Sequence, residues 1–147
     1  MKVLAAGCEW ESHGVKNSWS TFKREREDVL RFIQYNKITG VLMVSGDRHF
    51  TAAYQVMGKF IEVTSGPMGS ASVTTKPTPE MFFYSGKGKF YSIFDVNTCD
   101  EQPRVTLEIY KASEGLVERR AFTWDEVLGV TKIQPLPATP VKADTNK

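Results

Sequence analysis

A chain of 147 residues, 41% apolar and 24% charged, has the size and balance of one globular domain able to bury its own core. A net charge of +2, with no stripe of lysine and arginine interleaved with aromatics, excludes the usual electrostatics of a nucleic-acid binder. No apolar run reaches the roughly 18 residues of a membrane span, and two cysteines, Cys8 and Cys99, make neither a disulfide framework nor a zinc spacing, so they read as separate thiols.

Residues 2–8 read as a short buried strand. They briefly imitate a signal peptide, but Glu9 and Glu11 end the apolar run too soon. A polar loop follows to Asn17 and contains His13. Asn17, Ser18, Ser20 and Thr21 are candidate helix caps. The periodicity then predicts a helix over 22–35, with Phe22, Val29, Leu30, Phe32 and Ile33 on the buried face and Glu27 paired with Arg31. Residues 38–45 form a short, β-branched apolar run without alternation, as expected of a strand covered on both faces. Strand, helix and strand over 2–45 make a βαβ unit, expected to be parallel and right-handed.

The second half changes character. A strand is predicted over 59–64, then a long surface loop rich in Gly, Ser, Pro and Thr over 65–79. Strands follow at 90–96 and 105–110, and a turn at Ser113-Glu114-Gly115 leads into a third at 116–122. Thr123 and Glu126 have capping-box spacing and open a short helix that Gly129 ends. The Pro-rich stretch 131–147 is predicted to be a disordered tail. The fold class is thus α/β, or α+β: one domain over 1–130, a βαβ unit followed by an antiparallel meander and a short C-terminal helix.

Chemistry concentrates in Ser45-Gly46-Asp47-Arg48-His49-Phe50, directly after the doubly covered strand. Functional side chains of open α/β sheets gather at the carboxyl ends of strands. Asp47 offers carboxylate oxygen and His49 imidazole nitrogen, a mixed donor pair that Zn²⁺, Fe and Mn²⁺ accept. Gly46 permits a tight backbone beside them. A structural alternative stands next to this: Asp47 caps a turn through its own backbone, and His49 is an ordinary half-buried histidine. Two ligands do not complete a metal shell. Ser65–Ser70 matches no P-loop spacing and lacks the lysine, Trp19 and Trp124 read as packing residues, and no serine sits in a nucleophile elbow.

Several stretches resemble the PhoD-like alkaline phosphatase/phosphodiesterase family of metallophosphatases. They are Asn17–Arg26 before the helix, Gly40–Phe50, Glu62–Met68 after a strand, and Gly88–Val96. They occur in the family's order across about residues 2–129, and Gly46-Asp47-Arg48-His49 is the most specific of them. The resemblance implies the C-terminal half of an αββα metallophosphatase sandwich that hydrolyses phosphate mono- or diesters. It implies a multinuclear metal centre, with Fe, Ca, Zn or Mn as candidates. Asp47 and His49 match the last metal-binding motif and are assigned as catalytic metal ligands. Arg48 and His13 are candidate substrate-binding residues, and Cys8 is expected to be structural.

In such enzymes the remaining ligands lie on earlier strands. No Asp-x-x-Tyr or Gly-Asn-His-Asp element occurs in this sequence. The expected partners are therefore a phosphate ester and either a separately encoded N-terminal half or a second copy of the chain. The family resemblance suggests an extracytoplasmic location. A rival reading from another class is an inactive half-domain serving as a binding or scaffold module through an exposed sheet edge.

Overall fold

The structure, a computed structural model, describes residues 1–11 and 16–133. The apolar run after Gly40 forms β2 (Val41–Ser45), in which Val41, Leu42 and Met43 are all buried. A strand with cover on both faces needs no polar alternation, which is why the run reads as continuous. β1 (Lys2–Ala5) and β4 (Phe60–Thr64) flank β2, both parallel to it, and α1 (Lys23–Tyr35) links β1 to β2. The predicted parallel βαβ unit is present. β3 (Thr51–Val56) pairs antiparallel with β4 on its far side, and β5 (Met81–Ser85) pairs antiparallel with β3. The first sheet thus has the order β1-β2-β4-β3-β5.

The second sheet is the predicted meander of β6 (Phe90–Asn97), β7 (Arg104–Lys111) and β8 (Gly115–Thr123), with β7 in the middle. Thr123 and Glu126 make the reciprocal capping box that opens α2 (Trp124–Leu128), and Gly129 closes it in the left-handed conformation at φ 75°.

Because side chains alternate across a strand, each strand of the first sheet feeds two cores. Leu42, Ala53, Ile61 and Val63 pack against Val105, Leu107, Ile109 and Phe122 of the second sheet. Val41, Met43, Ala52, Tyr54 and Val56 face the other way, onto Trp10 and onto Leu30 and Ile33 of α1. Helix, sheet and sheet are therefore three layers of the expected sandwich. Among the described residues the remaining helix, α2, touches β2, β7 and β8 at their ends rather than lying across the outer face of the second sheet.

Four readings need correction. β1 is the edge of its sheet and largely exposed, with Val3 65% accessible, so it is not a buried strand. The N-cap position of α1 falls to Phe22, without a side-chain cap, and not to one of the predicted polar residues. The buried face of α1 runs through Arg26, Val29, Leu30 and Ile33, an i, i+3, i+4, i+7 stripe, while Phe22 and Phe32 are exposed. Arg26 takes an inward position because an acidic partner waits there, as described below. Finally, packing continues past residue 130: Ile133 is buried in the inter-sheet core, and its carbonyl accepts from Gln55 Nε2 at 2.9 Å. Residues 134–147, the remainder of the predicted tail, lie outside the described residues. The pair Glu27–Arg31 forms as expected, at 2.9 Å on the solvent face of α1.

Candidate functional site

β2 ends at Ser45, and the next five residues turn the chain back into β3. Within that turn Asp47 and His49 both adopt left-handed backbone, at φ 65° and 55°. Aspartate and histidine tolerate this region better than most residues, but each such position still costs on the order of 1 kcal/mol. The consequence is an alternation of direction. Asp47 and His49 are exposed, whereas the side chain of Arg48 between them is turned inward and only 12% exposed. The two sequence-predicted ligands are thus presented to solvent at the carboxyl end of a central strand.

Arg48 is held from below. Its Nε lies 2.8 Å from Oε1 of Glu9, a carboxylate with no solvent exposure, and its Nη1 donates to the Lys16 carbonyl at 3.2 Å. Burying such a pair is tolerable only when both charges are matched. The Glu9 carbonyl accepts from Trp19 N at 3.0 Å, and the indoles of Trp10 and Trp19 stack with centroids 4.3 Å apart. Trp19 is therefore a packing residue, as predicted.

Beneath the Glu9–Glu11 strap sits Glu62, completely buried in β4. Its carboxylate accepts from Trp10 N (2.9 and 3.1 Å, one to each oxygen), from Glu11 N at 3.1 Å and from Ser45 Oγ at 2.7 Å. Burial pushes its pKa up to about 7, against the lowering effect of these donors. Glu11 in turn binds Arg26 Nη2 at 2.7 Å and accepts from Met57 N at 3.3 Å, while Arg26 Nε donates to the Trp10 carbonyl at 2.6 Å. This is why Arg26 faces inward. Tyr54, beside Glu62 in the sheet register, has its phenol raised by burial and by the negative charge of Glu9 and Glu62.

A cleft of about 300 Å³ opens over the turn, lined by Asp47, Arg48, His49, Phe50, Val73, Thr74 and Thr75. The predicted long loop after β4 forms its far wall. Val73 N donates to the His49 carbonyl at 2.8 Å, and Thr75 N donates to the Tyr84 hydroxyl at 2.7 Å. The start of that loop is fixed by Thr51, whose hydroxyl donates to the Gly66 carbonyl at 2.6 Å and accepts from Gly66 N at 3.2 Å.

Of the other candidates, His13 lies outside the described residues. Cys8 and Cys99 are free thiols, as read from the sequence. Burial first, and then Glu9, raise the Cys8 thiol above its usual range, which disfavours the thiolate a metal requires. The residues that sequence reasoning missed are Glu9 and Glu62. A signal for Glu62 was present: a lone acid inside the apolar strand Phe60–Thr64 has to be buried with partners.

Asp47 and His49 supply oxygen and nitrogen, exposed and on one turn, as a hard or borderline cation requires. Among the described residues no group of three or more His, Cys, Asp or Glu side chains could hold an ion. The pair fits as a contributor to a shared shell.

No curated protein matches the sequence. A solved structure of PhoD superposes with a TM-score of 0.51 at 14% identity, over 82% of this chain and 31% of that one. The likeness is one of fold, and the chain spans about a third of that protein's length. A family model for PhoD-like phosphatases matches residues 3–120, well over half of the sequence. The chain belongs to the PhoD-like phosphatase family.

Proposed function

We propose that this chain contributes Asp47 and His49 as ligands to a metal centre that hydrolyses phosphoric mono- or diesters. The observation that carries the reading is the backbone of the turn. Two non-glycine residues in left-handed conformation, both bearing metal-ligating side chains, face solvent at the carboxyl end of a central parallel strand. Strain of this kind persists where the surroundings over-determine it and clusters at functional sites. Family membership supplies the reaction class.

When bound, divalent or trivalent metal supplies Lewis acidity and a nucleophilic water at neutral pH; Fe, Ca, Zn and Mn are the candidates. The chain's own residues prepare the place. Asp47 offers oxygen and His49 nitrogen, each fixed by the turn rather than by a flexible loop. The cleft wall at Val73–Thr75 limits the approach of the ester to one side of the turn. Arg48 lines the same cleft, and we assign it a share in orienting a phosphate oxygen. With Nε on Glu9 its contribution there is geometry more than net charge.

Two donors leave a shell incomplete, so the reading includes a partner that brings the others, either a separately supplied N-terminal half or a second copy of the chain. The exposed edge of β1 favours such a partner, because it presents unpaired backbone groups beside the parallel core. The same edge supports the second reading, a binding or scaffold module without activity. No helix among the described residues is long and apolar enough to cross a membrane, and an extracytoplasmic location is proposed from the family alone. The test is hydrolysis of an aryl phosphate ester with Mn²⁺ or Fe, by the chain alone and with the partner half. Metal-dependent turnover in the mixture that is lost in His49→Ala supports the enzyme. Equal, metal-independent inactivity in both preparations overturns it in favour of the module.

A further inference from the structure

The proposed ligands do not hold themselves in place. Their turn begins at Ser45 and carries Arg48 at its middle, and both points lead to one buried group. Ser45 Oγ donates to Glu62 Oε1 at 2.7 Å. Arg48 is paired with Glu9 at 2.8 Å, and the residues directly after Glu9, Trp10 and Glu11, donate their backbone N–H groups to the same carboxylate. A carboxylate that accepts several backbone and hydroxyl donors in a water-excluded layer makes strong, directional bonds. Nothing else in the first sheet requires an acid at this point, since Phe60, Ile61 and Val63 around it are plain core.

We propose that Glu62 is the positioning residue of the Asp47/His49 turn: it fixes the start of the turn through Ser45 and its centre through the Glu9–Glu11 strap that seats Glu9 on Arg48. Glu62 touches neither proposed ligand and acts through these two connections. The role deepens the metal-ligand reading and rests on it for its functional meaning. The geometric part stands on the contacts alone.

The distinguishing variant is Glu62→Gln. It keeps the volume and one acceptor oxygen, but Trp10 N reaches both carboxylate oxygens, so in either orientation the amide N–H₂ faces that N–H and the strap's anchor is weakened. Hydrogen exchange followed by mass spectrometry reads the effect segment by segment. In Glu62→Gln, exchange should rise at least tenfold in peptides covering 8–11 and 45–50 and stay near wild type in 104–111. Leu107→Ala serves as the control for general destabilisation and should not single out those two segments. A rise of equal size everywhere, or no rise in 45–50, overturns the proposal.

Should Glu62→Gln fail to fold, Ser45→Ala cuts one connection only. It should loosen 45–50 and leave 8–11 protected, whereas unchanged exchange in 45–50 overturns the proposal. Mn²⁺ binding by calorimetry, with the partner half present, provides the second readout. Wild type should bind, His49→Ala should not, and Glu62→Gln should bind at least tenfold more weakly; wild-type affinity in Glu62→Gln overturns the positioning role. If the wild-type chain takes up no Mn²⁺, the metal reading fails separately, and the exchange pattern still decides whether Glu62 holds the turn.

Discussion

Replacing Arg48 by Met removes the cation from a buried pair while keeping most of the apolar stem. Glu9 is fully buried and the Arg48 side chain is 12% exposed, so the carboxylate left behind has little access to water. Breaking a buried pair in this way costs roughly 3–5 kcal/mol. The residual exposure of Arg48 and the retained stem volume place this case at the lower end, about 3 kcal/mol. For a chain of this size that is a fall in Tm of about 10 °C. The loss also has a signature that a packing defect lacks. It depends on the charge of Glu9, so a variant that also removes that charge should not show it. Urea unfolding of wild type, Arg48→Met, Glu9→Gln and the double variant Glu9→Gln/Arg48→Met measures it as a cycle. The double variant should recover most of the stability. No recovery on removing Glu9 would refute the buried-pair account.

Other outcomes follow from the same contacts. Leu107→Ala, at the fully buried centre of the inter-sheet core, should cost about 2–5 kcal/mol in denaturant unfolding, because the two sheets cannot collapse freely onto the cavity. Thr123→Ala removes one side of the capping box of α2 and should cost about 1 kcal/mol. Glu62 carries its own pH dependence. Its folded pKa of about 7 lies above the ordinary carboxylate value of 4.5, so its contribution favours folding fully below about pH 4.5 and is lost as pH rises to about 7. The groups facing it are Glu9, Glu11, Ser45 and Tyr54, with Arg26 and Arg48 behind them. Wild type should therefore lose roughly 3 kcal/mol relative to Glu62→Gln across that interval; parallel stability curves for the two proteins would contradict the burial of a titrating Glu62.

How far the fold was legible in the sequence depended on whether local pattern and tertiary burial agreed. β2 read cleanly because a β-branched run covered on both faces has no other stable home. The meander read well because β7 alternates Val105, Leu107 and Ile109 with polar neighbours, and the capping box announced α2. β3 was left unassigned. It contains two alanines, and its turn into β4 uses Met57-Gly58 with both residues at positive φ, where the usual signal is Asn-Gly. In α1 the apolar count pointed to Phe22 and Phe32, but tertiary electrostatics put Arg26 inside against Glu11.

The candidate site was legible as residue types and not as architecture. Asp47 and His49 were chosen from donor chemistry and position after a strand, and the structure presents both to solvent. Arg48 looked like a free phosphate contact, since the sequence gives no sign that Glu9, 39 positions earlier, is buried against it. Acidic residues in loops are ordinarily read as solvated. Only the crossing of the 9–11 strap over β4 turns Glu9 and Glu62 into structural charges.

The central claim is that Asp47 and His49 are metal ligands, and metal uptake tests it most directly. Purified chain, together with the partner half that completes the shell, is loaded with Mn²⁺, dialysed and assayed for bound metal beside Asp47→Asn and His49→Ala, with thermal melts confirming that all three are folded. The account predicts metal retained by wild type and lost from both variants. Equal retention by all three, or metal lost only where folding is lost, would contradict it.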